Sequence, residues 1–241
     1  MRENKYRAIF FDLDGTLRYA EPTVWDAYRE QVESLGLPMS EQAQREVGRW
    51  EHYYWAHSAE LKRDSARFAG NQAGFWQHYM ALRLEKMGAS AEQIREFSPK
   101  LRRFFDEQYK PQHRVPAELY RLLPEWRAAG YLLAVLSNRR SPLEAALAEL
   151  DLQNYFDAAM SAGEIGAWKP DPAIFTPLLE KFSLKPSEVL YVGDNYYADV
   201  VGARNAGLTP VLYDPRGLFP EADCLRITSF DALGEAVSVN Q

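Results

Sequence analysis

The sequence predicts an α/β protein, a doubly wound parallel sheet with helices on both faces and an α-helical domain inserted after the first strand. Three observations carry that expectation. Ala8-Ile9-Phe10-Phe11 is an unbroken apolar run near the start, as expected of a strand covered on both faces. From about residue 115 onward, strand and helix patterns alternate, which predicts parallel strands joined by crossover helices. Between these regions, residues 19 to about 110 hold helical spacings and no convincing strand. The first strand must therefore pair with strands beyond the insertion. The expected domains are 1–18 with 112–241 for the sheet and 19–111 for the helices.

Within the insertion, Val24, Trp25, Tyr28, Val32 and Leu35 recur on one helical face. Phe75, Tyr79, Leu82 and Met87 form a looser face, and Ile94, Phe97, Leu101 and Phe104/Phe105 a third. Breaks fall at Gly36-Leu37-Pro38, at Ala69-Gly70 and at Met87–Ser90, where Ser90 is placed to cap the next helix. In the second region, Glu118–Gly130 reads as a helix with Pro124 inside it and Gly130 as its stop. Tyr131–Leu136 is a buried strand, Pro142–Leu150 a helix and Phe156–Ser161 a weaker strand. Pro170–Phe182 is a helix with proline in its first turn, Glu188–Gly193 a strand and Ala198–Gly207 a helix. Thr209–Tyr213 and Cys224–Ile227 are short strands, and Ser229–Val237 is a closing helix.

Bulk properties narrow the function. The chain has 241 residues, 46% hydrophobic and 26% charged, enough for a sizeable core. A net charge of −6 argues against nucleic acid or an anionic membrane as the main partner. A single cysteine, Cys224, forms no internal disulfide and fits a reducing compartment. No apolar run exceeds Tyr131–Leu136, and the opening residues lack a secretory pattern. A cytoplasmic protein, monomeric or dimeric, is expected.

The chemistry-bearing residues follow the predicted strands, where ligands of open parallel sheets bind. Asp12 and Asp14 follow the first strand, and in extended chain they would point the same way. Two like charges so close call for a cation or a shared proton. Ser137 and Asn138 follow the Tyr131–Leu136 strand, Lys169 lies beyond the weaker strand, and Asp194 and Asp199 follow Glu188–Gly193. Each taken singly also suits a turn, a helix cap or a solvated loop. Their common position at strand ends favours one site.

The set resembles the haloacid dehalogenase superfamily, with four motifs in that family's order: Asp12–Thr16, Val135–Asn138, Lys169–Phe175 and Val192–Asp199. Glu221-Ala222-Asp223 is also common there. The resemblance implies a Rossmann-like core with an α-helical cap of the first type, and a phosphatase using Mg²⁺. It makes Asp12 the nucleophile that becomes an aspartyl-phosphate, and Asp14 the general acid and base. It assigns the metal to Asp12, Asp194 and the backbone carbonyl of Asp14, with Asn195 and Asp199 in its outer surroundings. Ser137, the Asn138 N–H and Lys169 would hold the phosphoryl oxygens. Asp14 separates this chain from the dehalogenase branch, which lacks the second aspartate because halide leaves without a proton.

A cap of this size implies a small phosphorylated metabolite as substrate. Arg18 and Arg49 are the candidate substrate contacts. Arg139 either adds positive charge near the phosphate or is a solvated helix-start residue. Most cap aromatics read as helix-packing core. His52 and His57 miss a shared helical face, so no metal pair is expected there. Two alternatives to the phosphatase reading are a sugar-phosphate mutase of the β-phosphoglucomutase type and a non-catalytic binding or regulatory protein on the same fold.

Overall fold

A computed structural model describes residues 5–238 and divides the chain into two compact units. One runs up to Tyr19 and resumes at Arg114, and the other is Ala20–His113.

The first unit holds a six-stranded, all-parallel sheet. Its strands are β1 (Ala8–Phe11), β4 (Leu132–Ser137), β5 (Ala158–Ser161), β6 (Val189–Gly193), β7 (Thr209–Tyr213) and β8 (Leu225–Ile227), in the spatial order β5-β4-β1-β6-β7-β8. The chain's first strand thus lies inside the sheet, Phe11 opposite Val135 on one side and Val192 on the other. That burial on both faces is why Ala8–Phe11 carries no polar residue. Apolar side chains form two cores, one on each face. Ile9, Phe11, Leu133 and Val135 pack with Leu119, Leu123 and Trp126 on one face. Phe10, Ala134, Leu136 and Tyr191 pack with Ile174, Phe175 and Leu178 on the other.

The crossovers contain α6 (Leu119–Ala128), α7 (Glu144–Glu149), α8 (Ala162–Ile165), α9 (Thr176–Phe182) and α10 (Val201–Asn205), and α11 (Phe230–Ser238) follows the last strand. Gly130 follows α6 with a φ of +88°, the left-handed stop its sequence position suggested. The short α8 was not expected from the sequence, and two expected helices differ. Pro170–Phe182 is not one helix but a 3₁₀ turn, Pro172–Phe175, leading into α9. The helix expected from Ala198 begins earlier, as a π-helical turn at Tyr196–Val200.

The second unit consists mainly of five helices, α1 (Val24–Ser34), α2 (Glu41–Trp55), α3 (Ala59–Arg67), α4 (Gln72–Lys86) and α5 (Ala91–Glu107). Ser90 caps α5 in a reciprocal capping box with Gln93. The unit's core gathers Tyr28, Val32, Tyr54, Tyr79, Leu84, Phe97 and Leu101, and its tryptophans pack largely against other rings. Val24, expected on the buried face of α1, is exposed; it is the first residue of the helix, where the apolar stripe has not yet turned inward. Two short strands were not expected from the sequence. β2 (Tyr19–Glu21) and β3 (Gln112–Arg114) pair where the chain passes between the units. Three mostly exposed residues each are too few to show an apolar alternation. No helix among the described residues is long and apolar enough to cross a membrane.

Candidate active site

The site is built where β1, β4 and β6 end. The Asp12 N–H donates to the Val192 carbonyl at 2.9 Å, which carries the sheet ladder one residue past β1 and fixes Asp12 at the rim. The chain then turns. The Arg18 N–H returns to the Leu13 carbonyl at 2.9 Å, and the Gly15 N–H to the Arg18 carbonyl at 2.7 Å. Asp14 is therefore bridged to Arg18 across the turn instead of continuing β1, and the two aspartates have different partners. Asp12 is buried and Asp14 exposed.

Gly15 explains the glycine after the aspartates. Its φ is +91°, and a Cβ there would lie 2.3 Å from Asp194 Oδ2. Gly193 makes the same allowance for Asp199 in the π-helical turn beyond β6, since a Cβ on it would lie 2.3 Å from that carboxylate. Thr16 completes the seat. Its hydroxyl accepts from the Asp194 N–H at 3.0 Å and faces Asp194 Oδ1 at 3.4 Å.

Lys169 is the centre of charge. Although 2% exposed, its Nζ donates to Asp12 Oδ1 at 2.5 Å, Asp199 Oδ1 at 2.7 Å and the Tyr191 hydroxyl at 2.9 Å, with the Leu136 carbonyl at 3.3 Å. An ammonium has three protons, so the surrounding acceptors already use all of them. Tyr191 in turn donates to the Leu136 carbonyl at 3.0 Å. The Lys169 backbone is fixed by Asn138, whose side chain accepts from the Lys169 N–H at 2.7 Å and donates to its carbonyl at 3.0 Å. The Asn138 side chain is thereby engaged with the chain itself.

Three carboxylates, Asp12, Asp194 and Asp199, place an oxygen each within 4.8 Å of one another. Burial pushes Asp12 up to about 7, with Lys169 opposing and Asp199 adding to the rise. Burial also holds Asp194 well above the usual carboxylate range, aided by Asp199 and Asp12. For Lys169 burial favours the neutral amine, but Asp12 and Asp199 outweigh it and keep the ammonium charged. Fully ionised, the three carboxylates would carry more negative charge than one lysine neutralises. A cation would relieve it.

Other sequence candidates lie around this cluster or elsewhere. Ser137 ends β4, buried, its Oγ accepting from the Arg139 N–H at 3.4 Å. The Asp199 carboxylate joins the cluster, though Lys169 holds one of its oxygens and the Asn195 N–H, at 2.8 Å, the other. The Asn195 side chain caps the following turn, accepting from the Tyr197 and Ala198 N–H groups. Arg18 places its guanidinium 3.6 Å from Asp14. Arg49 belongs to the helical unit, on α2. Arg139, left between two readings by the sequence, forms a two-point ion pair with Asp14 at 2.6 and 2.7 Å. Tyr191 and Thr16 escaped the sequence reading. Tyr191 lay within an apolar run and Thr16 within a turn motif, and only their hydrogen bonds reveal them.

A family model described as haloacid dehalogenase-like hydrolase matches residues 6–207. The chain is 38% identical over 139 residues to a phosphoserine phosphatase of Thermus thermophilus, a match spanning 57% of this chain and 53% of that protein. It is 28% identical to a ribulose-1,5-bisphosphate 5-phosphatase of Halopiger xanaduensis, over 86% of this chain and 84% of that protein. Its fold is similar to that of a 2-haloacid dehalogenase from Pseudomonas syringae, with a TM-score of 0.54 and 24% identity. That alignment covers 97% of this chain and 99% of the other.

Proposed function

The chain belongs to the haloacid dehalogenase-like hydrolases, and we propose that it is a phosphatase that hydrolyses a small phosphomonoester through a phosphorylated Asp12. The observation that carries this reading is the buried Asp12–Lys169–Asp199 array, with its contacts of 2.5 and 2.7 Å, beside Asp194. Phosphatases of small phosphorylated compounds among the relatives support it. Asp14 favours a phosphatase over a dehalogenase, because an alkoxide leaving group needs a proton and a halide does not.

The residues present fit a magnesium ion. Three carboxylates supply hard oxygen donors, and burial resists their full ionisation with Lys169 alone to balance them. Asp12, Asp194 and the Asp14 carbonyl would hold it, while Asp199 stays with Lys169. When bound, the ion supplies positive charge against the anionic phosphoryl group and favours ionised Asp12.

The chain's own residues carry out the steps. Lys169 grips Asp12 Oδ1, so Oδ2 is the oxygen that attacks phosphorus. An ionised carboxylate needs no separate base for this. The Ser137 hydroxyl and the Asn138 N–H hold the phosphoryl oxygens, and Lys169 joins them once Asp12 has given up its charge to the acyl phosphate. Asp14 gives a proton to the departing alkoxide oxygen as the P–O bond breaks. It then takes a proton from the water that attacks the aspartyl-phosphate, releasing inorganic phosphate and restoring Asp12. Arg18 remains a candidate for contacting the leaving group.

The test is phosphate release from a panel of small phosphomonoesters, with Mg²⁺ and after chelation, by wild type and Asp12→Asn. The expected result is release by wild type only, abolished by chelation, restored by Mg²⁺ and poorly by Ca²⁺, whose looser coordination misplaces the donors. Release by Asp12→Asn at the wild-type rate, or full activity after exhaustive chelation, would contradict the proposal.

A further inference from the structure

We propose that Arg139 is a positioning residue that orients the Asp14 carboxylate for its proton transfers, an inference that rests on the acid–base reading of Asp14 above. Nε of Arg139 donates to Asp14 Oδ2 at 2.6 Å and Nη2 to Oδ1 at 2.7 Å. This is the parallel two-bond fork in which a planar guanidinium fixes both the distance and the plane of a carboxylate. Asp14 needs such a hold. It lies exposed, where its own χ angles would otherwise let the carboxyl group move between rotamers.

Arg139 is secured at its root as well as its tip. Its N–H donates to Ser137 Oγ at 3.4 Å, and its carbonyl accepts from the Gly163 N–H at 3.0 Å. Gly163 lies so close beneath this loop that a Cβ on it would fall 1.8 Å from the Arg140 carbonyl oxygen. The loop after β4 is thus seated directly on the start of α8. Arg18 approaches the same carboxylate only at 3.6 Å, as a second charge without the fork. Ser137 and Asp14 are consequently tied to one backbone segment, so the group that holds a phosphoryl oxygen and the group that moves the proton keep a fixed relation. Proton transfer requires that kind of alignment, since small misplacements cost about a hundredfold in rate.

The test compares leaving groups. An alkyl phosphomonoester requires proton donation to its departing oxygen, whereas p-nitrophenolate leaves with little help. We expect Arg139→Gln to lower kcat for the alkyl ester by about 10–100-fold with little change in KM. The burst of p-nitrophenol that reports Asp12 phosphorylation should stay within about threefold of wild type, which also shows that the variant is folded. Arg139→Lys, which keeps the charge and loses the fork, should behave like Arg139→Gln. A loss in the p-nitrophenol burst as large as the loss on the alkyl ester would overturn the proposal by placing Arg139 on the phosphoryl group itself. So would full activity of Arg139→Lys, which would leave charge alone as the requirement. Asp14→Asn is the control for the underlying reading: if it shows no leaving-group dependence, the acid–base role of Asp14 fails, whatever Arg139 does.

Discussion

Replacing Lys169 by methionine removes the positive centre of the buried array while keeping most of its volume. In the wild type, Nζ lies 2.5 Å from Asp12 and 2.7 Å from Asp199, with all three side chains nearly inaccessible to water. At an effective dielectric constant of about 20, each contact is worth about 6 kcal/mol before desolvation is subtracted. The net loss from deleting one partner of a buried pair is about 3–5 kcal/mol, because the remaining charges stay buried without compensation. For a chain of this size, about 2–4 °C of Tm accompanies each kcal/mol, so the variant should melt about 6–20 °C lower. The loss should depend on pH. The Asp12 carboxyl group is raised from 3.8 to about 7 by burial, so the folded protein binds more protons than the unfolded chain across that window. Its contribution to stability therefore falls as pH rises from about 4 to about 7, and removing the ammonium, which holds that carboxyl down, extends the fall to higher pH. Thermal unfolding in chelator, comparing the two proteins at about pH 5 and about pH 8, measures this directly. The deficit should be larger at the higher pH. Equal deficits at both, or a Tm within about 2 °C of wild type at the higher pH, would refute the electrostatic account.

The other expectations concern the metal seat. Asp194→Asn should raise the Tm of the metal-free protein at neutral pH, because burial beside Asp12 and Asp199 disfavours the ionised carboxyl that the unfolded chain gains freely. It should also abolish the added stability that Mg²⁺ gives the wild type; thermal melts with and without Mg²⁺ check both, and an unchanged response to the ion would exclude Asp194 as a ligand. Gly15→Ala should lower stability by about 1–3 kcal/mol from left-handed strain, with more from the 2.3 Å approach to Asp194 Oδ2. Denaturant unfolding measures that loss, and a neutral substitution would show that the turn is not shaped around Asp194.

Much of this was legible in the sequence because it depends on period and position. The apolar runs at Ala8–Phe11 and Val189–Gly193 mark strands covered on both faces, and both flank each other inside the sheet. Ligands gather beyond strand ends in such sheets, which is why Asp12, Ser137, Lys169 and Asp194 could be grouped before any coordinates. What stayed hidden depends on which atoms meet. Nothing in the spacing says that Lys169 spends its protons on Asp12, Asp199 and Tyr191. Nor does it reveal that the Asn138 side chain braces the Lys169 backbone. Asp14 was expected to share a side with Asp12, but the chain turns at Leu13 and sends its carboxylate to Arg139 instead. The β2 and β3 strands were too short for any pattern to show.

The central claim is that Asp12 carries the phosphoryl group, and the most direct measurement traps it there. Asp14→Asn lacks the base for the second step but keeps the nucleophile, so p-nitrophenyl phosphate with Mg²⁺ should release a rapid burst of p-nitrophenol and then stall. Mass spectrometry of the quenched protein should find one added phosphoryl group, on the peptide containing Asp12, and Asp12→Asn should show neither the burst nor the modification. Free phosphate appearing in step with p-nitrophenol, with no phosphoryl group on the chain at any time, would contradict the account.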